Sequence, residues 1–358
     1  MLFSTFSCSS DPQRSAELRY QQRILQQVSR SFALTIPQLP DALCDAVGNA
    51  YLLCRIADTI EDEPRLNSNL KLEFTQQFIA VVANQHPADK FSQNLLPHLS
   101  TDTSPAEKDL ISHTAAVIHI TQNFNGVQQA ALLRCVQIMS KGMADFQQRE
   151  DKTTGLQSSQ ELQQYCYYVA GVVGEMLTSL FCDYSPAIAA RQTALQAHSV
   201  AFGEGLQLTN ILKDIWADRQ RGECWLPRDV FQAAGFDLGI WYNDPSCVLG
   251  QANPAFRQGI NVLLNRTRQQ LENALEYSLL IPSNEPGIRR FCLWAIGMAV
   301  LTLRNIAKQP GFYSGEQVKI SRKQVRRMIY LSYVLINQDG LLRWLFKRWT
   351  ADITPCVK

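Results

Sequence analysis

Apolar residues recur along most of this chain at spacings of three and four, the signature of helices with one buried face, and the alternation of a half-buried strand is nearly absent. The pattern predicts helices over 11–29, 40–58, 70–82, 114–147, 159–181, 187–220, 253–279, 287–307 and 321–335. Breakers fall between them: Pro37 and Pro40, Glu63-Pro64, the 102–105 turn, Ser185-Pro186, Pro227, and the 282–286 segment bounded by prolines. Ser321, followed by three polar residues, suits an N-cap. The longest apolar run, 291–303, stops at Arg304 short of the roughly 18–20 residues a membrane span needs and predicts a buried helix. No linker or repeat divides the chain. The expected organisation is a disordered 1–15, a single all-helical domain over 16–340 and an amphipathic tail over 341–358.

Two helices carry polar stripes that a buried element does not need. In the 187–220 helix, Gln207, Asn210, Asp214 and Asp218 fall at i, i+3, i+7 and i+11, while Leu206, Leu208, Ile211, Leu212 and Ile215 fill much of the remaining circumference. A helix apolar over most of its surface is buried, and an unpartnered buried carboxylate is costly. The stripe therefore faces partners or a cavity; structural salt bridges are the plainer alternative. Tyr51, Arg55, Asp58 and Asp62 repeat the pattern at i, i+4, i+7 and i+11. Here the plainer alternative is that Glu61, Asp62 and Glu63 form a solvated helix end before Pro64. Acids at a helix C-terminus oppose its dipole, and a bound cation would remove that conflict.

Each pair, Asp58 with Asp62 and Asp214 with Asp218, sets two carboxylates on one helix face roughly 6 Å apart along the axis. Turned toward each other, the two faces would hold Mg²⁺ through hard oxygens from Asp58, Glu61, Asp62, Asn210, Asp214 and Asp218, with water and substrate phosphate completing the shell. That chemistry points to a diphosphate. Arg30, Arg55, Lys213, Arg219 and Arg221 lie nearby in sequence and suit phosphate oxygens, although each is otherwise an ordinary surface charge. A third helix places Tyr165, Tyr168 and Val172 on one side and Gly171 and Gly174 three apart. Mid-helix glycines cost about 1 kcal/mol each relative to alanine, and here they allow close approach of a neighbouring helix or of a ligand chain.

Composition narrows the classes. Hydrophobic residues make up 46% and the net charge is +2, which speaks against a nucleic-acid partner. Ten cysteines are scattered without a Cys-x-x-Cys pair, and the histidines lack zinc-ligand spacing, as expected of reduced core thiols in the cytoplasm. The first twenty residues lack a basic start followed by an apolar run, so no cleavable signal is expected.

Four ordered motifs, Ser29-Arg-Ser-Phe-Ala33, Asp58-Thr-Ile-Glu-Asp62, Tyr165-Cys-Tyr-Tyr-Val-Ala-Gly-Val-Val-Gly174 and Gln207-Leu-Thr-Asn-Ile-Leu-Lys-Asp214 with Asp218, resemble the squalene/phytoene synthase family over roughly residues 20–335. The resemblance implies an isoprenoid-synthase-type helical bundle around a central apolar cavity, with the two aspartate boxes facing. It also implies head-to-head joining of two prenyl diphosphates. Met143-Ala-Asp-Phe146, Phe291-Cys292 and Val318-Lys-Ile320 resemble the squalene synthase branch. That branch implies two farnesyl diphosphates as substrate, presqualene diphosphate as intermediate, and NADPH held around Lys319, with Arg322 nearby and Phe291. The mechanism so implied makes Tyr165 a proton shuttle and the rings of Tyr51 and Phe32 shields for cations, with Ser29, Arg30, Arg55, Gln207, Asn210, Lys213 and Arg221 binding substrate.

Two departures stand out. Glu223 occupies a position where relatives often have arginine, and an extra Ser321 precedes Arg322. A non-reductive relative forming presqualene diphosphate, dehydrosqualene or phytoene remains open. So do a helical scaffold descended from a synthase and a head-to-tail prenyltransferase, although Asp-Asp-x-x-Asp boxes are not seen. The 341–349 segment mixes apolar and basic residues and reads either as a membrane-interface element or as a docked terminal helix. The expected protein is a cytoplasmic monomer with peripheral contact to the inner face of a membrane through this tail.

Overall fold

The computed structural model describes residues 12–29, 31–149, 151–243 and 253–353, and these are helical with no β-strand among them. An isolated parallel bridge joins Leu156 to Pro227. Two compact units result: 1–148 with 175–192, and 149–174 with 193–358.

The first unit contains α1 (Pro12–Val28), α2 (Phe32–Thr35), α3 (Asp41–Asp62), α4 (Ser68–Val82), α5 (Ala88–Leu95), α6 (Pro105–Ser112), α7 (Thr114–Gln122) and α8 (Gly126–Gln147). α3 is its axis, packed against α1, α4, α6, α7 and α8. Buried Asn49 at its middle is satisfied on both sides, donating to the Val117 carbonyl at 2.9 Å and accepting from Thr121 at 2.7 Å. The helix expected over 40–58 runs one turn further, so Asp62 is helical too. Glu63 ends it and is not solvated. Its buried carboxylate accepts from Thr103 Oγ1 at 2.6 Å, the Ser100 N–H at 2.8 Å and the Arg65 N–H at 2.9 Å. The single helix expected over 114–147 is two, because Asn125 turns its side chain onto the Gln128 N–H at 2.9 Å and starts α8 afresh.

The second unit contains α9 (Ser159–Cys166), a π turn (Tyr167–Gly171), the first residues of α10 (Val172–Tyr184), α12 (Gln192–Gln220), α13 (Arg228–Ala233), α14 (Leu238–Asn243), α15 (Pro254–Leu280), α16 (Pro286–Lys308), α17 (Gly315–Val318), α18 (Arg322–Leu335) and α19 (Asp339–Thr350). The chain enters the first unit within α10 and leaves it after α11 (Pro186–Ala189). The helix expected over 187–220 breaks at 190–191, where the Arg191 N–H reaches back to Ile188 at 2.8 Å in a tightened last turn. Two helical stretches among the described residues, 159–184 and 286–308, meet the length and hydropathy of a membrane span, at mean hydropathies of 1.2 and 1.3, although the unbroken apolar run within the second, 291–303, is shorter than a span. For α16, 72% of that window is buried inside the fold, which is the behaviour of a core helix. α19 packs on α15 and α16, burying Leu342, Phe346 and Thr350.

Candidate active site

The first acid pair sits on α3 in a connected polar surface. Tyr51 Oη donates to the Val28 carbonyl at 3.0 Å and accepts from the Arg55 guanidinium at 3.0 Å. The Phe32 ring stands 5.4 Å from that of Tyr51, and Ser29 Oγ accepts the Phe32 N–H at 3.0 Å, fixing the turn into α2. Arg55 lies 3.7 Å from Asp58 and 3.9 Å from Glu107. Ser29, Phe32, Tyr51, Arg55 and Asp58 are thus brought together, whereas Arg30 lies outside the described residues. Glu107, on α6, is a member that sequence spacing gave no reason to include.

Electrostatics mark this surface as short of positive charge. Burial pushes the Asp58 carboxyl up to about 6; Arg55 pulls it down, and Asp62 and Glu107 push it up again. Burial would lower the Arg55 guanidinium, yet Asp58, Tyr51 and Glu107 hold it above its ordinary value. One guanidinium serves several carboxylates, and a divalent cation would relieve the excess. At the helix end, the Lys71 ammonium donates to the Glu61 carbonyl, which answers part of the dipole conflict, and Gln147 donates to the Glu61 carboxylate at 3.1 Å.

The second acid pair sits on α12. Exposure along its stripe peaks at Asn210: Asn210 is exposed, Gln207 and Asp214 are half-buried, and Asp218 is buried. Lys213 Nζ lies 3.1 Å from Asp214, and Arg221 lies 2.5 Å from Asp218. Gly315, which opens α17, approaches so closely that a Cβ there would stand 3.3 Å from the Asp214 carboxylate and 3.2 Å from the Lys213 carbonyl. Arg219 points elsewhere, donating to the Trp241 carbonyl at 2.8 Å with its guanidinium 4.7 Å from that ring. Glu223 donates its backbone N–H to the Asp218 carbonyl at 2.9 Å, and a small crevice there is lined by Asp218, Glu223 and Trp225.

Among the described residues no three acidic, histidine or cysteine groups converge as a ready-made cage. The donors are carboxylate pairs. A hard divalent cation that keeps several waters and takes phosphate oxygens needs no more than one or two protein carboxylates, so the donor set fits.

Tyr165 lies flat on Trp225, ring centroids 4.0 Å apart and planes 13° apart, and the Arg149 guanidinium is 4.8 Å from the same indole. Neither partner was signalled by helical spacing. The π turn that follows is a distortion often found at functional sites. A Cβ at Gly203 of α12 would overlap the Ala170 carbonyl oxygen, and one at Gly174 would overlap the Ser199 carbonyl oxygen. A Cβ at Gly171 would stand 3.0 Å from the Val200 side chain, so of the two uses foreseen for Gly171 and Gly174 the structure realises contact with a neighbouring helix.

Lys319 is exposed and pairs with Glu316 at 3.0 Å. Asn305 donates to the Val318 and Lys319 carbonyls at 3.0 and 3.3 Å, pinning the segment to α16. The extra Ser321 is the N-cap of α18, in a reciprocal capping box with Gln324. Arg322 follows, exposed, in the first turn. Phe291 is only 1% exposed, inside α16.

Comparison with known proteins agrees with the helical fold. The squalene/phytoene synthase family model matches residues 25–324. The squalene synthase ERG9 of Candida albicans is 28% identical over 335 residues, covering 92% of this chain and 70% of that protein. The squalene synthase of Solanum lycopersicum is 30% identical over 284 residues, covering 78% and 62%. The chain therefore spans about two thirds of the length of these relatives. Among solved structures, the complex of TcSQS with the ligand BPH1237 superposes with a TM-score of 0.73 at 23% identity, covering 96% of this chain and 94% of that one. A dehydrosqualene synthase in complex with a ligand gives 0.66 at 21%, covering 90% and 97%. At these identities the structural likeness is one of fold. With a family match running from α1 into α18, the chain belongs to the squalene/phytoene synthase family.

Proposed function

We infer that this chain is a squalene synthase, joining two farnesyl diphosphates head to head to presqualene diphosphate and reducing that product to squalene. The observation that carries the reading is the carboxylate pair on each of two largely buried helices, Asp58 with Asp62 and Asp214 with Asp218, within the family match. Relatives named squalene synthase over most of the chain support the product.

Two diphosphates of about −3 each repel strongly. At about 8 Å and an effective dielectric near 20, each unit pair costs roughly 2 kcal/mol, so the whole costs on the order of 18 kcal/mol. Asp58, Asp62, Asp214 and Asp218 would hold Mg²⁺, with Glu61 and Asn210 as further oxygen donors. Mg²⁺ supplies charge neutralisation and Lewis acidity to the departing diphosphate. Arg55, Lys213 and Arg221 contact phosphate oxygens directly. Loss of diphosphate from one substrate leaves an allylic cation, which the 2,3-double bond of the second substrate attacks; loss of a proton closes the cyclopropane. Tyr165 receives or relays that proton, held in place by Trp225. The Tyr51 and Phe32 rings face developing positive charge with their π-electrons. Apolar helix faces keep out water, which would trap the cation as an alcohol.

The reductive step rests on Lys319 and Arg322 as partners for the phosphates of NADPH, which supplies hydride. Close packing of Gly315 on Asp214 supports it, because it ties the segment leading to Lys319 to the second acid pair. Phe291, buried, would shape that region from behind rather than touch the nucleotide. We place the protein in the cytoplasm, as a monomer, in peripheral contact with a membrane.

The test is product analysis by gas chromatography of purified protein with farnesyl diphosphate and Mg²⁺, with and without NADPH. Squalene is expected with NADPH and presqualene diphosphate without it. Dehydrosqualene as the product in both arms, or phytoene from the C20 diphosphate in preference, would replace this reading with a non-reductive one. Absence of Mg²⁺-dependent turnover would end it.

A further inference from the structure

Of the eleven large hydrophobic side chains exposed among the described residues, five fall within one short stretch of the second unit: Tyr330, Tyr333, Val334, Leu341 and Trp344. Tyr330 is 68% exposed and Trp344 62%. Scattered exposed hydrophobics are ordinary, but a cluster marks a surface that something covers.

α18 and α19 touch each other, and both pack on α16. Their inner faces turn to that helix. Met328, Ser332, Leu342 and Phe346 line an apolar groove with Ile296 and Gly297, and Trp294 Nε1 donates to Ser332 Oγ at 2.7 Å. Their other faces therefore point outward together. On α18 the outer stripe runs Lys323, Arg326, Arg327, Tyr330, Tyr333 and Val334, at i, i+3, i+4, i+7, i+10 and i+11, all exposed. On α19 it runs Leu341, Trp344 and Arg348, at i, i+3 and i+7, with Lys347 alongside.

Charge on this face has one sign. α18 holds four basic residues and no acid. The acid of α19, Asp339, is bound inward to Arg289 at 3.0 Å, and Arg343 is held by Glu276 at 2.7 Å. Lys323, Arg326, Arg327, Lys347 and Arg348 form no ion pair among the described residues. A second copy docking through the same face would set these cations against each other. A nucleic acid would use the cations and could stack bases on the rings, but it would leave Val334 and Leu341 in water. Tyrosine and tryptophan among lysine and arginine match the headgroup level of a bilayer, where ring bodies enter the apolar boundary and cations meet lipid phosphates.

We propose that the outer face of α18 and α19 seats this protein on an anionic lipid bilayer, the Tyr330–Trp344 cluster at headgroup depth and the flanking cations on the lipid phosphates. The proposal deepens the peripheral contact inferred above and gives it a residue-level surface.

Vesicle flotation of the full chain, without substrate, tests it. Strong binding is expected to vesicles containing about a third phosphatidylglycerol, weak binding to phosphatidylcholine alone, and release as salt rises from about 0.1 to 0.5 M. The triple substitution K323Q/R326Q/R327Q is expected to weaken partitioning roughly 100-fold. The pair Tyr330→Ser and Trp344→Ser is expected to weaken it on both lipid mixtures. All five positions are exposed, so thermal melts followed by circular dichroism are expected to match wild type. Wild type that fails to float with anionic vesicles overturns the proposal. So do variants that float like wild type, and so does a dimer in sedimentation velocity that these substitutions dissolve. Product formation in vesicle-free buffer is scored separately: its loss with flotation intact counts against the synthase reading and leaves this one standing.

Discussion

At Asp58, burial and Arg55 act in opposite directions, and burial together with Asp62 and Glu107 wins, leaving the carboxyl pushed up to about 6. Such a carboxylate is held in place by the surrounding fold more than it stabilises that fold. Asp58→Asn or Asp214→Asn should therefore lower presqualene diphosphate formation roughly 100- to 1000-fold, about 3–4 kcal/mol of transition-state charge stabilisation. The helical circular dichroism should be unchanged, and wild-type rates in both variants would refute the metal assignment. Glu63, one residue beyond the pair, behaves oppositely. Burial works against its charge, yet hydrogen bonds from Thr103, Arg65 and Ser100 hold it below the ordinary glutamate value. Glu63→Ala is expected to destabilise by about 2–3 kcal/mol in urea unfolding, because it leaves those donors unsatisfied. The two acid pairs could be read from spacing, since both members of each lie on one helix. Glu63 could not, because Ser100 and Thr103 lie 37 and 40 residues away and no local period encodes them. Trp225, the partner of Tyr165, was hidden for the same reason.

Among the helices, length decided what could be foreseen. α3, α8, α12, α15 and α16 each span at least 22 residues, long enough for a 3.6-residue period to declare itself. α2, α13, α14 and α17 have six residues or fewer and present no such period. The break before α8 was set by a side chain competing for a backbone group, that of Asn125, and the one at 190–191 by a tightened backbone turn. The π turn was invisible because its residues keep helical spacing to within one position. Its seating gives a sharp contrast between two glycines. Gly203 meets the Ala170 backbone, whereas Gly126, at the start of α8, has nothing within 4 Å of a built Cβ. Gly203→Ala should therefore cost more than about 3 kcal/mol in unfolding free energy or prevent accumulation of soluble protein. Gly126→Ala should be neutral or stabilise by up to about 1 kcal/mol. Equal midpoints for the two variants would contradict the backbone contact.

Across the whole chain a net charge of +2 conceals a separation of roles. Acidic pairs are concentrated on two helices within the family match, while cations that form no ion pair among the described residues gather on α18 and α19. The amphipathic segment near the C-terminus was legible as a pattern, but its two readings, interface element or docked helix, could not be separated by sequence. The structure supports the docked one directly, since α19 buries Leu342 and Phe346 and is fastened by Arg289 to Asp339 and by Arg343 to Glu276. Removing the segment is therefore not a neutral test of membrane contact. Deleting residues 339–358 would uncover the groove lined by Leu293, Ile296 and Val300 and leave the buried Arg289 guanidinium without its carboxylate. Two large apolar side chains at about 1.5–3 kcal/mol each set a loss of roughly 3–6 kcal/mol, an upper estimate because the unfolded chain already covers part of that surface. The truncated protein is expected to melt several degrees lower and to bind a hydrophobic dye before melting. The surface variants K323Q/R326Q/R327Q and Trp344→Ser should do neither. A truncated chain that melts like wild type and binds no dye would show that α19 does not stabilise the fold, returning the segment to the role of a free tail.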